Sequence, residues 1–344
     1  MSDVITTNVP QTESRRAFFL VTLFVLTIAT TITYPLFGEY MSVSASYSNV
    51  IFLILGWFST AHVATTAFFY ADRDFLPHAL SRPFRYIYAP LLVIGICIVV
   101  WGLTYKSASF WYPWQVYHSW LLWHYMRQNI GVSALAAQAS LESRITDLER
   151  RAITASSIGA IFGAAHFGPA GPLSDQQEQI ITMIGAIIYA ASLLTMAYAI
   201  WKRVLSTPGQ YITPVFLIAV MAFFAPTFFS NNYIAAVMGY AVAHALQYWF
   251  LISLVAAGTG RKSSYLKSLG SLIALTVAIW AIIYASRQPE LWNNLAGWIA
   301  GTGFGITIAH FVIDADAWRL REKFQRNYVM SRLAPFMGMQ TKGG

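Results

Sequence analysis

The sequence predicts an all-α protein, a polytopic bundle of about ten transmembrane helices. Of its 344 residues, 57% are hydrophobic and only 10% are charged, whereas soluble globular chains carry about 25% charged residues. Apolar runs of about 20 residues recur along the chain, and in lipid only a helix of that length satisfies every backbone polar group. The predicted spans are 17–37, 49–71, 84–105, 111–138, 152–167, 178–201, 211–230, 232–257, 265–286 and 292–314.

Short polar joints separate these spans, so the chain is predicted to form a single membrane domain at 17–316. A polar N-terminal segment, 1–16, precedes this domain, and a basic cytoplasmic tail, 317–344, follows it. No small-residue cleavage site follows the first apolar run, so we expect that run to be a retained span rather than a signal peptide. The one cysteine, Cys97, lies in an apolar run and is expected to be a small core residue.

The basic residues predict the orientation of the bundle. All but three of the 22 lysines and arginines fall in joints or termini on one side, the exceptions being Lys106, Arg287 and Arg127. Because basic residues concentrate in cytoplasmic segments, both termini are predicted to be cytoplasmic. The net charge of +8 then reflects orientation in a bilayer rather than nucleic-acid binding. We expect a multi-pass protein of the bacterial inner membrane.

The fourth span, 111–138, is unusually polar for a membrane helix. Its central stretch, 117–129, holds two imidazoles, a guanidinium and two amides among aromatic rings: His118, His124, Arg127, Gln128 and Asn129. Ionisable groups at membrane depth are costly, and they normally face a protein interior with a partner. The pattern therefore predicts a polar site inside the bundle, with this helix at its centre.

Histidines indicate what this site holds. At about 1.5 Å rise per residue, His62, His124, His244 and His310 fall in the middle and inner half of the membrane, on four different spans. Neutral imidazoles are good ligands for iron, copper or zinc. We therefore expect these four to hold one metal ion, with His118, nearly two turns outward of His124, as a reserve ligand. Hydrogen bonding between helices is the alternative for each one alone.

Two polar residues share a helical face with a candidate ligand. Asp314 follows His310 by four residues, and Tyr248 follows His244 by four. We expect Asp314 to orient the ring of His310, as carboxylates do for metal-binding histidines. Plain solvation at a helix end is the alternative for Asp314.

Arg127 and Gln128 follow His124 by three and four residues. They are predicted to orient a polar end of the substrate or a metal ligand. Packing across helices is an equal alternative for both.

Missing motifs narrow the chemistry further. The sequence has no paired HxxxH and HxxHH boxes, which membrane di-iron desaturases need, and no HExxH, GxSxG or P-loop motif. A mononuclear metal site therefore remains the expectation.

The order of the histidine motifs resembles that of the Brp/Blh-type membrane carotene dioxygenases of bacteria and archaea. The matching segments are Ala61-His62-Val63, Trp123-His124-Tyr125, Ala243-His244-Ala245-Leu246-Gln247-Tyr248 and Ala309-His310-Phe311-Val312-Ile313-Asp314. They span most of the chain, although each is short. Tyr248 stands where that family has the second histidine of an HxxxH helix, and the acids that follow its first two histidines are missing here.

This resemblance implies non-haem Fe(II) and O2 chemistry on a long isoprenoid or carotenoid-like substrate, with His310 or His118 replacing the missing ligand. We therefore expect an O2-dependent oxidoreductase, dioxygenase-like, acting on an apolar molecule dissolved in the bilayer. One alternative is an electron carrier whose histidines are axial ligands of haem b. The other is a ten-span transporter with midplane histidines.

Overall fold

The computed structural model describes residues 9–43, 59–167, 171–230, 233–258, 262–286, 288 and 291–338. These residues form an all-helical bundle without strands. Its helices are α1 (Val9–Val43), α2 (59–65), α3 (Phe68–Ala71), α4 (Leu76–Ser81), α5 (Ala89–Thr104), α6 (Trp111–Ala139), α7 (Asp147–Gly163), α8 (Asp175–Ser206), α9 (Ile212–Ala222), α10 (Pro226–Phe229), α11 (Tyr233–Ala257), α12 (Lys262–Ser286), α13 (Ala296–Ala317) and α14 (Lys323–Leu333).

Six helical segments among the described residues are long and apolar enough to cross a membrane. They are Phe84–Thr104, Asp175–Ser206, Ile212–Phe229, Gly239–Ala257, Leu266–Ser286 and Asn293–Ala317. These segments coincide with the third and the sixth to tenth predicted spans. Helices α1, α6 and α7 occupy the first, fourth and fifth predicted spans but are not among the six. Residues 49–58 of the second predicted span lie outside the described residues.

Glycines let α13 pack directly against the backbone of α5, as their four-residue spacing predicts. A Cβ atom on Gly301 would lie 2.6 Å from the carbonyl oxygen of Cys97. On Gly305 it would lie 2.8 Å from the Cα of Ile94. Any larger side chain would therefore push the two helices apart and displace His310, one turn further along α13.

A buried ion pair joins the start of α7 to the end of α8. Glu149 caps α7 by accepting a hydrogen bond of 2.6 Å from the amide of Thr146. Arg203 donates from Nε and Nη2 to the two carboxylate oxygens of Glu149, each at 2.6 Å, and from Nη1 to the Ser143 carbonyl oxygen at 3.0 Å. Both charged side chains are almost fully enclosed, so the pair fixes these two helix ends together.

The described part of the predicted basic tail is folded against the bundle. Val329 and Leu333 of α14 are fully buried. Arg332 donates to Asp72 at 3.2 Å and to Asp74 at 2.7 Å, which ties α14 to the segment after α3.

Candidate metal centre

Four buried imidazoles from four helices form a closed ring in the bundle. His62 lies on α2, His124 on α6, His244 on α11 and His310 on α13, and all four are buried. Neighbouring ring centroids around this four-histidine ring are 4.7, 4.9, 5.1 and 5.1 Å apart. The structure thus brings together the four histidines whose depth and order suggested a common site.

Ligand atoms in this ring are close enough to share an ion. Two overlapping groups have all of their ligand atoms within 4.8 Å of one another, and both contain His310. One group adds His62 and His244, and the other adds His124 and Asp314. The Nε2 atoms of His62 and His244 are 3.1 Å apart. Metal–imidazole bonds are about 2.0–2.1 Å long, so two nitrogens at adjacent positions on one ion are separated by about 3 Å.

Two Nε2 atoms of the ring point to a missing partner, and Nδ1 of His244 also lacks a hydrogen bond among the described residues. Nε2 of His124 and Nε2 of His310 are buried and accept or donate no hydrogen bond among the described residues. The carboxylate of Asp314 lies 3.5 Å from the latter nitrogen, which is too long for a normal hydrogen bond. Buried polar atoms without a partner are destabilising by about 1–3 kcal/mol each. A metal ion would satisfy both nitrogens, so these residues fit a bound cation.

The hydrogen bonds of His62 direct its lone pair into the ring. Its Nδ1 contacts the carbonyl oxygen of Ser59, one turn earlier. Because a carbonyl oxygen can only accept, Nδ1 carries the proton and Nε2 carries the lone pair. That lone pair faces Nε2 of His244. A backbone acceptor on the far nitrogen is the usual way in which proteins orient a metal-binding histidine.

A second network holds His310. Its Nδ1 is 2.5 Å from the hydroxyl of Thr66, which lies 3.3 Å from Oδ1 of Asp314. Tyr248 donates to the same carboxylate oxygen at 2.9 Å. With Asp314 ionised, the Thr66 hydroxyl donates to Asp314, and Nδ1 of His310 donates to that hydroxyl. The lone pair of His310 is then on Nε2. An orienting role of Asp314 would therefore act largely through Thr66.

We predict that Asp314→Asn weakens metal binding without abolishing it. Partners behind the ligands typically change metal affinity or activity by about 10–100-fold. Asparagine keeps the size and one acceptor but removes the negative charge that sets the donor direction at His310. Isothermal titration of the metal-free protein with iron(II) measures the change. The exposed Asp175 of α8 is the control, and equal affinities for Asp314→Asn and Asp175→Asn would contradict the orienting role.

Asp316 cannot serve as that control, although it lies only two residues away. Its side chain is 1% exposed and accepts hydrogen bonds from Arg85 and from the Tyr86 hydroxyl, the latter at 2.8 Å. Its removal would therefore disturb the packing of α13 against the turn that precedes α5, where Arg85 and Tyr86 lie.

The three remaining predicted site residues lie in three different surroundings. Gln128 donates to the carbonyl oxygen of His244 at 3.0 Å and to Oε1 of Gln247 at 2.8 Å, so it packs α6 against α11 beside the ring. Arg127 is exposed on the surface of α6. His118 is buried two turns away, where its Nδ1 donates to the Trp114 carbonyl oxygen at 2.9 Å, and neither ligand group includes it.

Sequence reasoning missed three residues that touch the ring. Thr66 was detectable, because it follows His62 by four residues and so shares its helical face. Phe311 stacks on His124 at 4.3 Å between ring centroids, and Tyr125 lies 4.3 Å from His244. These aromatic residues have no distinguishing pattern in a chain with so many aromatic side chains.

Comparison with protein-family models, curated proteins and solved structures finds no match to this chain. The chain is an apolar helical bundle that encloses buried histidines close enough together to bind a metal ion.

Proposed function

We propose that this protein is an integral membrane, non-haem iron oxygenase that acts with O2 on an apolar substrate dissolved in the bilayer. The observation that carries the proposal is the closed ring of four buried imidazoles, two of which present Nε2 atoms without a partner. Imidazole and carboxylate ligands suit iron(II) in oxygenase sites, provided that coordination positions stay open. When bound, the iron would supply the activation of O2.

Side chains around the ring would keep water away from this chemistry. Phe311 covers His124 and Tyr125 covers His244, each at 4.3 Å between ring centroids. Tyr248 lies 5.3 Å from His310 and turns its hydroxyl toward Asp314. An apolar substrate arriving from the lipid would thus meet aromatic faces, while the hydroxyl of Tyr248 remains bonded to Asp314.

Spacing of the histidine nitrogens favours a bare ion over haem. Axial ligands of a haem bind on opposite faces of a flat macrocycle, so their nitrogens lie about 4 Å apart when each metal–nitrogen bond is about 2 Å. The 3.1 Å between the Nε2 atoms of His62 and His244 fits adjacent positions on one ion instead. Without this distance, a bare ion and a haem would explain buried histidines on transmembrane helices equally well.

Metal analysis of the detergent-purified protein, with its optical spectrum, tests the proposal. We expect bound iron, or uptake of iron(II) by protein purified without it, and no Soret band. Protein that neither contains nor takes up iron(II), or one that shows a Soret band, would overturn the non-haem centre. Consumption of O2 that depends on added iron(II) and on a lipid extract would then support the oxygenase activity itself.

We also propose ten spans with both termini in the cytoplasm, as the basic residues suggest. Two exposed serines make a matched test, since each donates to a carbonyl oxygen three residues earlier. In a Cys97→Ala background, Ser107→Cys should react with an impermeant thiol reagent added outside intact cells. Ser81→Cys should react only after the cells are opened. The reverse pattern would show that the orientation is opposite. Reaction of both cysteines from outside would show that no span, or an even number of spans, lies between them.

A further inference from the structure

Helix α6 turns one amphiphilic face away from the bundle. Val116, Trp120, Trp123 and Arg127 follow each other at spacings of four, three and four residues and are exposed. Gly131 continues this face by one more turn, and a Cβ atom there would meet nothing within 4 Å. The face therefore offers aromatic rings, then a cation, then open space.

One candidate ligand of the metal centre lies on α6 beside this face. His124 is buried beside the exposed Trp123, and Arg127 lies three residues further, which is about 4.5 Å along the helix axis. Arg127 is therefore about one turn of α6 from a candidate ligand, whereas the four-histidine ring itself is buried inside the bundle.

The guanidinium of Arg127 has no hydrogen bond or ion pair among the described residues. Its strongest charged neighbours are two further guanidiniums, those of Arg319 and Arg321, just after α13. The buried carboxylate of Asp316 is shared among Arg82, Arg85 and Arg319, and the guanidinium of Arg321 lies 3.9 Å from the carboxylate of Glu322. Positive charge thus exceeds negative charge at this point, and a cation at this depth of a membrane protein calls for a counter-ion.

We propose that the α6 face binds a substrate with an anionic head group, a phosphate or a carboxylate, whose apolar chain lies along Trp123 and Trp120. Arg127 would hold the head, because a guanidinium forms paired hydrogen bonds with either anion. Arg319 and Arg321 would add long-range attraction. This inference rests on the proposed oxygenase function and names its substrate class: an acidic amphiphile instead of a neutral hydrocarbon.

A matched pair of ligands tests the inference on the full-length protein in nanodiscs of neutral phosphatidylcholine. The probes are radiolabelled hexadecyl phosphate and hexadecanol, which differ only in the head group. Excess retention over empty nanodiscs gives the affinity. We expect hexadecyl phosphate to bind about 10–100-fold more tightly than hexadecanol, the factor that hydrogen bonds to a charged group supply.

Arg127→Gln should remove this preference and leave hexadecanol binding unchanged, whereas Arg127→Lys should keep part of it. The exposed Arg151 of α7 provides the control, and Arg151→Gln should bind both probes as the wild type does. Equal affinity for the two probes, or an unchanged preference in Arg127→Gln, would overturn the proposal. Displacement of hexadecyl phosphate by phosphatidylglycerol included in the nanodisc would overturn the substrate role, because a bilayer lipid would then occupy the site.

Failure of this inference can be told apart from failure of the proposed function. Retention is measured on protein without metal, so it does not depend on iron. Protein that binds iron(II) at the histidines but does not prefer the phosphate would remain a candidate oxygenase for neutral substrates. Protein that prefers the phosphate but takes up no iron would instead keep the lipid site and lose the oxygenase function.

Discussion

His310→Ala is expected to reduce iron(II) binding by more than about 100-fold, beyond the range seen when only an outer partner is lost. His310 belongs to both groups of candidate ligands, and its ring is adjacent to His62 and to His124. Its removal would also leave Thr66 and Asp314 without the ring that they hold. The measurement is iron per chain by mass spectrometry, on protein that elutes as a single species in detergent.

Alanine at His62, His124 or His244 should have a similar, slightly smaller effect, because each belongs to one group only. His78→Ala is the matched control, since that ring stacks on Phe324 at 3.9 Å and belongs to neither ligand group. If all four histidine variants kept the iron content of the wild type, the metal would have to bind elsewhere. Full iron in just one of them, together with loss in His118→Ala, would promote His118 to ligand.

Arg203→Met should lower the free energy of unfolding by about 3–5 kcal/mol, the usual result of removing one partner from a buried ion pair. Glu149 would remain enclosed at the start of α7 with its charge no longer balanced, and the carbonyl oxygen of Ser143 would lose its donor. Tryptophan fluorescence during titration with SDS in mixed micelles follows the unfolding. Lys202→Met, the exposed neighbour on α8, is the control and should be within about 0.5 kcal/mol of wild type.

The same pair predicts how stability depends on pH. Burial alone would raise the pKa of Glu149, but hydrogen bonds from Arg203 and Thr146 outweigh it and lower that pKa below its ordinary value of 4.5. A carboxyl whose pKa is lowered on folding contributes stability above its unfolded value and loses it as the pH falls through the folded value. The contribution should therefore be complete at neutral pH and fall only below about pH 4.5. Glu149→Gln should reduce the loss of unfolding free energy below about pH 4.5.

Hydropathy and the order of histidines predicted much of the site, because both are properties of one helix at a time. The rise per residue set the relative depth of His62, His124, His244 and His310, and the inside-positive bias aligned their four spans. Local spacing also indicated that Asp314 would support His310. None of these steps required knowledge of which helices are neighbours.

Contacts between distant helices were beyond such reasoning. Thr66 meets Asp314 across 248 positions of the chain, and Arg203 meets Glu149 across 54. Arg203 also looked like an ordinary cytoplasmic cation, since the count of basic residues cannot tell a buried arginine from a solvated one. The folded α14 was missed for a related reason: its basic residues mark the side of the membrane but not the packing of Val329 and Leu333.

The wide separation of the four histidines along the chain has a thermodynamic consequence. His62 and His244 alone are 182 positions apart, so an ion bound between them closes a very long loop. In polymer terms the ion is a cross-link, and tying residues that far apart removes conformational entropy from the unfolded chain equivalent to more than about 4 kcal/mol. Because no such site exists in the unfolded chain, the free energy of metal binding becomes free energy of folding. Iron supply would then govern how much of the protein survives proteolysis in the cell, before any question of turnover arises.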